Sequence, residues 1–187
     1  MTLRKLMLST VAATAVSTPV IATADSDLSI ALAGSASAQA NLDFAITIPS
    51  FIFFQVGSPG STIDSVSFDL LTANEEPGST NPVAGSSTVS VALRTNATNV
   101  RIAASGGNMT DTLGGAGSIP LTDITPSSAA SDIPVPDFGA DTGLIAPSGF
   151  NLSDTWSFSY DNTTVVPAGV YGTDTNGGRV TYTVTDF

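Results

Sequence analysis

Hydrophobic and polar residues alternate along much of this chain, and the longest alternation comes first. From Asp27 to Pro49 the even positions read Leu28, Ile30, Leu32, Gly34, Ala36, Ala38, Ala40, Leu42, Phe44, Ile46 and Ile48, while almost every odd position is polar or Ala. A period of two belongs to a half-buried strand, yet the run far exceeds the usual strand length of about 5–6 residues. Two segmentations follow. In the first, Leu42 to Ile48 is the opening strand of a domain and the residues before it are a tether. In the second, the ribbon breaks at Gly34-Ser35 into a detachable strand carrying Leu28, Ile30 and Leu32, a small-residue hinge over 36–40, and a strand over 41–49 that starts the domain.

Short β-type runs broken by Gly, Pro, Asn and Ser follow. Phe51–Val56 leads through Gly57-Ser58-Pro59-Gly60 into 61–71, where Ile63, Val66, Phe68 and Leu70 or Leu71 supply apolar positions. A polar loop covers 74–87. Two alternating strands come next, with Val89, Val91 and Leu93 on one face of the first and Val100, Ile102 and Ala104 on one face of the second. From Ser105 to Gly149 the pattern predicts long surface connections with one or two edge strands, because Pro126, Pro134, Pro136 and Pro147 cannot sit in a central strand. The chain then closes with a predicted hairpin: Trp156, Phe158 and Tyr160 share one face of its first strand, and Val180, Tyr182 and Val184 align on the second. Beyond the first residues no segment repeats apolar positions at helical spacing. The pattern therefore predicts an all-β protein, a single antiparallel β-sandwich of immunoglobulin-like or jelly-roll type with an alternating N-terminal strand extension.

The first residues read as an export signal. Arg4 and Lys5 precede an apolar run, and Ala22-Thr23-Ala24 has the small-x-small form of a cleavage site. Cleavage is expected after Ala24, with Ala38-Gln39-Ala40 as the alternative. The domain plan is a signal peptide over 1–24, an extension or candidate donor strand over 25–40, and a β-sandwich over 41–187. The mature protein is expected in the periplasm, at the cell surface or in an extracellular fibre.

Charge and composition narrow the function. The chain carries 16 Asp and Glu against 5 Lys and Arg, a net charge of −11, and only Arg94, Arg101 and Arg179 remain as cations beyond the signal. Such a surface cannot hold a phosphate backbone by counterion release and is repelled by anionic lipid, so neither nucleic acid binding nor membrane insertion of the mature chain is expected. Cys and His are both absent. Packing and hydrogen bonds alone must hold the fold, and the usual general base, the Ser-His and Cys-His pairs and most zinc sites are excluded. No enzyme activity and no cofactor is expected.

Several local features have chemical and bland interpretations. Asp161, Asp174 and Asn176 could offer oxygens to calcium, but their spacing fits no calcium loop and turn chemistry explains them better. Glu75-Glu76 reads as surface charge rather than an acid pair, since neighbours on a loop point apart. Trp156 could stack on a sugar, whereas its alternation with Phe158 and Tyr160 favours the core. The terminal Phe187 lies out of register with Val184, Tyr182 and Val180, which argues against a transmembrane barrel end.

An alternating N-terminal extension on an acidic Thr/Ser/Gly/Val-rich domain, closed by a Tyr-bearing strand "GRVTYTVTDF", resembles the structural subunits of chaperone-usher pili. Phe53, Val56, Gly57, Ser58, Gly60, Thr62, Ile63, Asp64, Val66 and Phe68, with the ending "V-x-A-G-x-Y-G... G-R-V-T-Y-T", are also similar to a set of exported Gram-negative β-sandwich proteins that brings no activity with it. The resemblance implies a structural subunit of a surface fibre or coat. Its partners would be copies of itself or a periplasmic chaperone and usher. Leu28, Ile30 and Leu32 would be the donor strand, and Val180, Tyr182 and Val184 the acceptor. A monomeric surface or glycan-binding β-sandwich module, using Trp156 or the loop from Ser105 to Gly117, is the alternative.

Overall fold

The structure, a computed structural model, describes residues 26–147, 149–173 and 175–187. The expected signal peptide over 1–24 therefore lies outside the described residues. The chain divides between Ile48 and Pro49 into two units.

In the first unit residues 26–48 form neither helix nor strand, and all are exposed. The strand expected over Leu42–Ile48 is not formed. A one-faced ribbon becomes a strand only when a neighbour takes up its backbone groups and an apolar surface covers its side chains. Leu28 is 82% exposed and Ile30 83%, and Phe44 and Ile46 are exposed to a similar degree.

The regular structure described in the second unit is mostly antiparallel strand: β1 (Ile52–Val56), β2 (Val83–Ala84), β3 (Val89–Thr95), β4 (Val100–Gly106), β5 (Met109–Thr110), β6 (Ser118–Ile119), β7 (Ile124–Ser128), β8 (Asn151–Tyr160) and β9 (Val180–Asp186). One sheet runs β1-β3-β8, with β2 extending the β3 side of β8 and β7 pairing along its other edge. A second sheet pairs β4 with β9, and residues 139–145 run along the free edge of β4 through bonds such as Val100 N to Ile145 O at 2.9 Å and Thr142 N to Ile102 O at 3.0 Å. A third, smaller ladder joins β5 to β6.

Alternation delivers the core. Val91 and Leu93 of β3, Val100 and Ile102 of β4, Leu152 and Trp156 of β8, and Ile133 from a connection bury together, so residues of the first two sheets share one apolar cluster. A second cluster gathers Val83, Ile119, Ile124 and Tyr160, and Phe158 packs against both.

Two expectations are corrected. The closing strands β8 and β9 are not a hairpin: β9 pairs with β4, in a different sheet from β8. Both strands carry an apolar face, and each buries it against the other across the core, with the Trp156 and Tyr182 rings 5.1 Å apart. The stretch 61–71 is not a strand either, but a loop running into a four-residue helix, α1 (Leu70–Ala73). Asp69 caps it by accepting from Leu71 N and Thr72 N, and Asn74 ends it in the left-handed conformation at φ 57°. Pro126 sits where the sequence requires, in the edge strand β7.

Candidate strand-docking groove

Among the unpaired edges of the two main sheets, those of β1 and β9 border the main core cluster. Among the described residues β1 pairs with β3 alone and β9 with β4 alone. Hydrogen-bond alternation identifies which groups are left over. Gly57 N donates to Ser90 O at 2.8 Å, so the paired backbone groups of β1 belong to Phe53 and Gln55, and those of Ile52, Phe54 and Val56 point away from β3. Likewise Phe187 N donates to Asn99 O at 3.1 Å, which commits Thr181, Thr183 and Thr185 to β4 and leaves Val180, Tyr182 and Val184 pointing outward.

Five of these six residues point their side chains into the shared core, and Val180 lies on the same strand face. Ile52, Phe54, Val56, Tyr182 and Val184 all pack against its buried cluster, yet all six stay half-buried. Two sheet edges thus flank a strip of incompletely covered core. Burial pushes the Tyr182 phenol up to about 12, so it stays neutral beside Trp156. The strip ends at a polar clasp, where Ser50 Oγ donates to Asp186 Oδ2 at 2.7 Å.

The predicted acceptor residues Val180, Tyr182 and Val184 therefore share one strand face and one open edge. The predicted donor residues Leu28, Ile30 and Leu32 are exposed in the first unit.

Other candidates become structural. Trp156 is fully buried, with its indole Nε1 donating to Ile133 O at 2.7 Å, and presents no face to a sugar. Asp161 accepts from Thr125 Oγ1 at 2.9 and 3.0 Å, the carbonyl of Asn176 accepts from Thr110 N at 2.9 Å, and Asp174 lies outside the described residues. No group of three or more Asp or Glu among the described residues could hold a metal ion. Glu75 Oε2 accepts from Ser79 Oγ at 3.0 Å and Asn81 Nδ2 at 2.9 Å, fastening its own loop.

The run from Phe53 to Phe68 includes a closed loop. Asp64 Oδ2 accepts from Ser58 N at 2.7 Å and Ser58 Oγ at 3.1 Å. Gly57, at φ +84°, lies so near this carboxylate that an added Cβ would sit 2.6 Å from Oδ2.

Two residues escaped the sequence analysis. Asp154 faces inward on β8, where desolvation would raise its pKa, but hydrogen bonds from Ser128 Oγ and the N–H groups of Ala130, Thr155 and Ile133 outweigh this and hold it at about 2. Ile133, fully buried, is held over the core by that carboxylate. An acid at an inward-facing position between Leu152 and Trp156 was the available signal.

Among the described residues no helix is long and apolar enough to cross a membrane. The regular structure among the described residues is mostly antiparallel β with almost no helix. No protein-family model, curated protein or solved structure matches it.

Proposed function

We propose that this protein is a structural subunit of an exported surface fibre or coat, assembled by strand exchange between immunoglobulin-like or jelly-roll sandwich domains. One observation carries the proposal: β1 and β9 leave a strip of core bordered by unpaired backbone groups, and the same chain holds an exposed ribbon of alternating apolar side chains. An extended segment can pair with one or both edges and insert every second side chain into the strip. Leu28, Ile30 and Leu32 are spaced for that, opposite Val180, Tyr182 and Val184. A periplasmic chaperone that supplies a strand of its own would fill the same strip before assembly.

Burying each such side chain is worth about 1.5–3 kcal/mol, so replacing all three by Asp removes the main driving force and adds the cost of burying charge. The mature triple variant is expected to be secreted and monomeric, while the parent forms polymers visible by negative-stain microscopy and light scattering. Polymers of normal length from the triple variant would overturn the proposal. A parent protein that stays monomeric would favour the monomeric surface or glycan-binding module instead.

A further inference from the structure

A strand-exchange subunit must avoid filling its own groove, and the ribbon contains a competitor for it. Leu42, Phe44, Ile46 and Ile48 carry the same alternation as Leu28, Ile30 and Leu32 and stand immediately before β1. A tight turn at Pro49–Phe51 would lay them antiparallel along the open edge of β1, in the common hairpin geometry.

The second unit blocks that turn with side-chain hydrogen bonds from Asn96, Thr95 and the Ser50–Asp186 pair. Asn96, just after β3, donates from Nδ2 to Pro49 O at 2.8 Å and accepts at Oδ1 from Phe51 N at 2.9 Å. Its amide thus stands in for a strand residue: it takes the backbone groups of 49 and 51 that face the β3 side, and so prolongs the β1 ladder in extended form. Thr95 reinforces it, with Oγ1 donating to Phe51 O at 2.8 Å and accepting from Ala97 N at 3.0 Å. On the opposite side Ser50 Oγ donates to Asp186 Oδ2 at 2.7 Å, which ties the intervening residue to the end of β9. The three residues that would have to bend are each held, and no turn or bend occurs at 49–51.

We propose that Asn96, with the Ser50–Asp186 hydrogen bond, is a clamp that keeps Pro49–Phe51 extended, so that Leu42–Ile48 cannot fold back on its own β1 and the groove remains open to a second copy of the chain. This rests on the strand-exchange function proposed above. Asn96 and Ser50 are positioning residues, acting through the backbone they hold.

The test compares the mature parent protein with a Ser50→Ala/Asn96→Ala variant and, separately, with Asn96→Asp. The Asp variant keeps the acceptor for Phe51 N but loses the donor to Pro49 O. Near-ultraviolet circular dichroism of Trp156 verifies the fold, and light scattering with hydrogen exchange reads the outcome. Loss of the clamp should raise the monomer-to-polymer ratio about tenfold, on the scale of losing two or more net hydrogen bonds. Amides of 42–48 in those monomers should become protected. Folded variants that polymerise like the parent, with 42–48 unprotected, would overturn the clamp while leaving strand exchange standing. If the parent and the Leu28/Ile30/Leu32 triple Asp variant are equally monomeric, strand exchange itself fails.

Discussion

The indole of Trp156 and the carbonyl of Ile133 are joined by a 2.7 Å hydrogen bond inside the core, where both residues are fully buried. The bond ties the central strand β8 to a connection that carries no regular structure. It also explains how Pro134 and Pro136 can follow Ile133 so closely: the connection is held by side chains and need not join a ladder.

Trp156→Phe should lower stability by about 2–4 kcal/mol, because it leaves a cavity and strands the Ile133 carbonyl without its donor. Urea unfolding followed by far-ultraviolet circular dichroism would register this as a lower midpoint with little change in slope. A midpoint within error of the parent would contradict the packing described.

Asp154 makes stability depend on pH in a defined direction. Its hydrogen bonds hold its pKa in the folded protein at about 2, below the ordinary carboxylate value of 3.8. Its contribution, about 2 kcal/mol, is therefore fully present above the unfolded pKa and lost as pH falls through about 4 to 2. Asp154→Asn should destabilise the protein at pH 7 and flatten the dependence in that window, which thermal unfolding between pH 2 and 6 would measure.

Asn162 is fully buried and satisfied on both sides of its amide, accepting from Gly78 N at 3.0 Å and donating to Glu76 O and Ser79 Oγ, each at 2.8 Å. Asn162→Asp is isosteric but replaces two donors with acceptors and buries a charge. It should cost more than Asn162→Ala, itself expected to cost about 1–3 kcal/mol. Equal melting temperatures for the two variants would count against the assigned bonds.

Gly177 lies at φ +86°, and an added Cβ would stand 1.9 Å from Asn108 O. Gly177→Ala should therefore dislodge the contact between the β4–β5 turn and the segment leading into β9, with faster amide exchange at Thr110 and Gly172. Nearby Gly107 has only one atom that a Cβ would approach, at 3.9 Å, so Gly107→Ala is the control expected to behave as the parent.

The chain contains no Cys, so introduced thiols report a single contact. Mixing an Ile30→Cys protein with a Val184→Cys protein under mild oxidation should give a mixed disulfide dimer if ribbons exchange. Each variant alone should give far less. Homodimers formed as readily as the mixed species would argue for random collision.

Much of the sheet was legible because alternation is a local property. The patterns Val89-Val91-Leu93, Val100-Ile102-Ala104 and Trp156-Phe158-Tyr160 place each strand and its buried face, and β3, β4 and β8 form there. Val180, Tyr182 and Val184 were likewise readable as one face of a last strand. Caps outvoted pattern at Asp69 and Asn74, which turn the apolar Leu70-Leu71 into a helix start, and alternation misled at Leu42–Ile48, where no neighbouring strand takes up the ribbon. The clasp residues Asn96 and Asp186 carry no sequence signal, since Asn and Asp beside strands are ordinary turn formers.

The sequence by itself determined the antiparallel β character, the inward faces of the main strands, the acidic surface and the absence of thiol and imidazole chemistry. These depend on residue type and a spacing of two, which no distant contact can alter. Only the tertiary structure decided that β9 pairs with β4 and not with β8, that Ile133 and Asp154 meet over the core, and that β1 and β9 border that core with open edges. Those outcomes depend on which apolar faces can cover one another and which backbone groups find partners far along the chain.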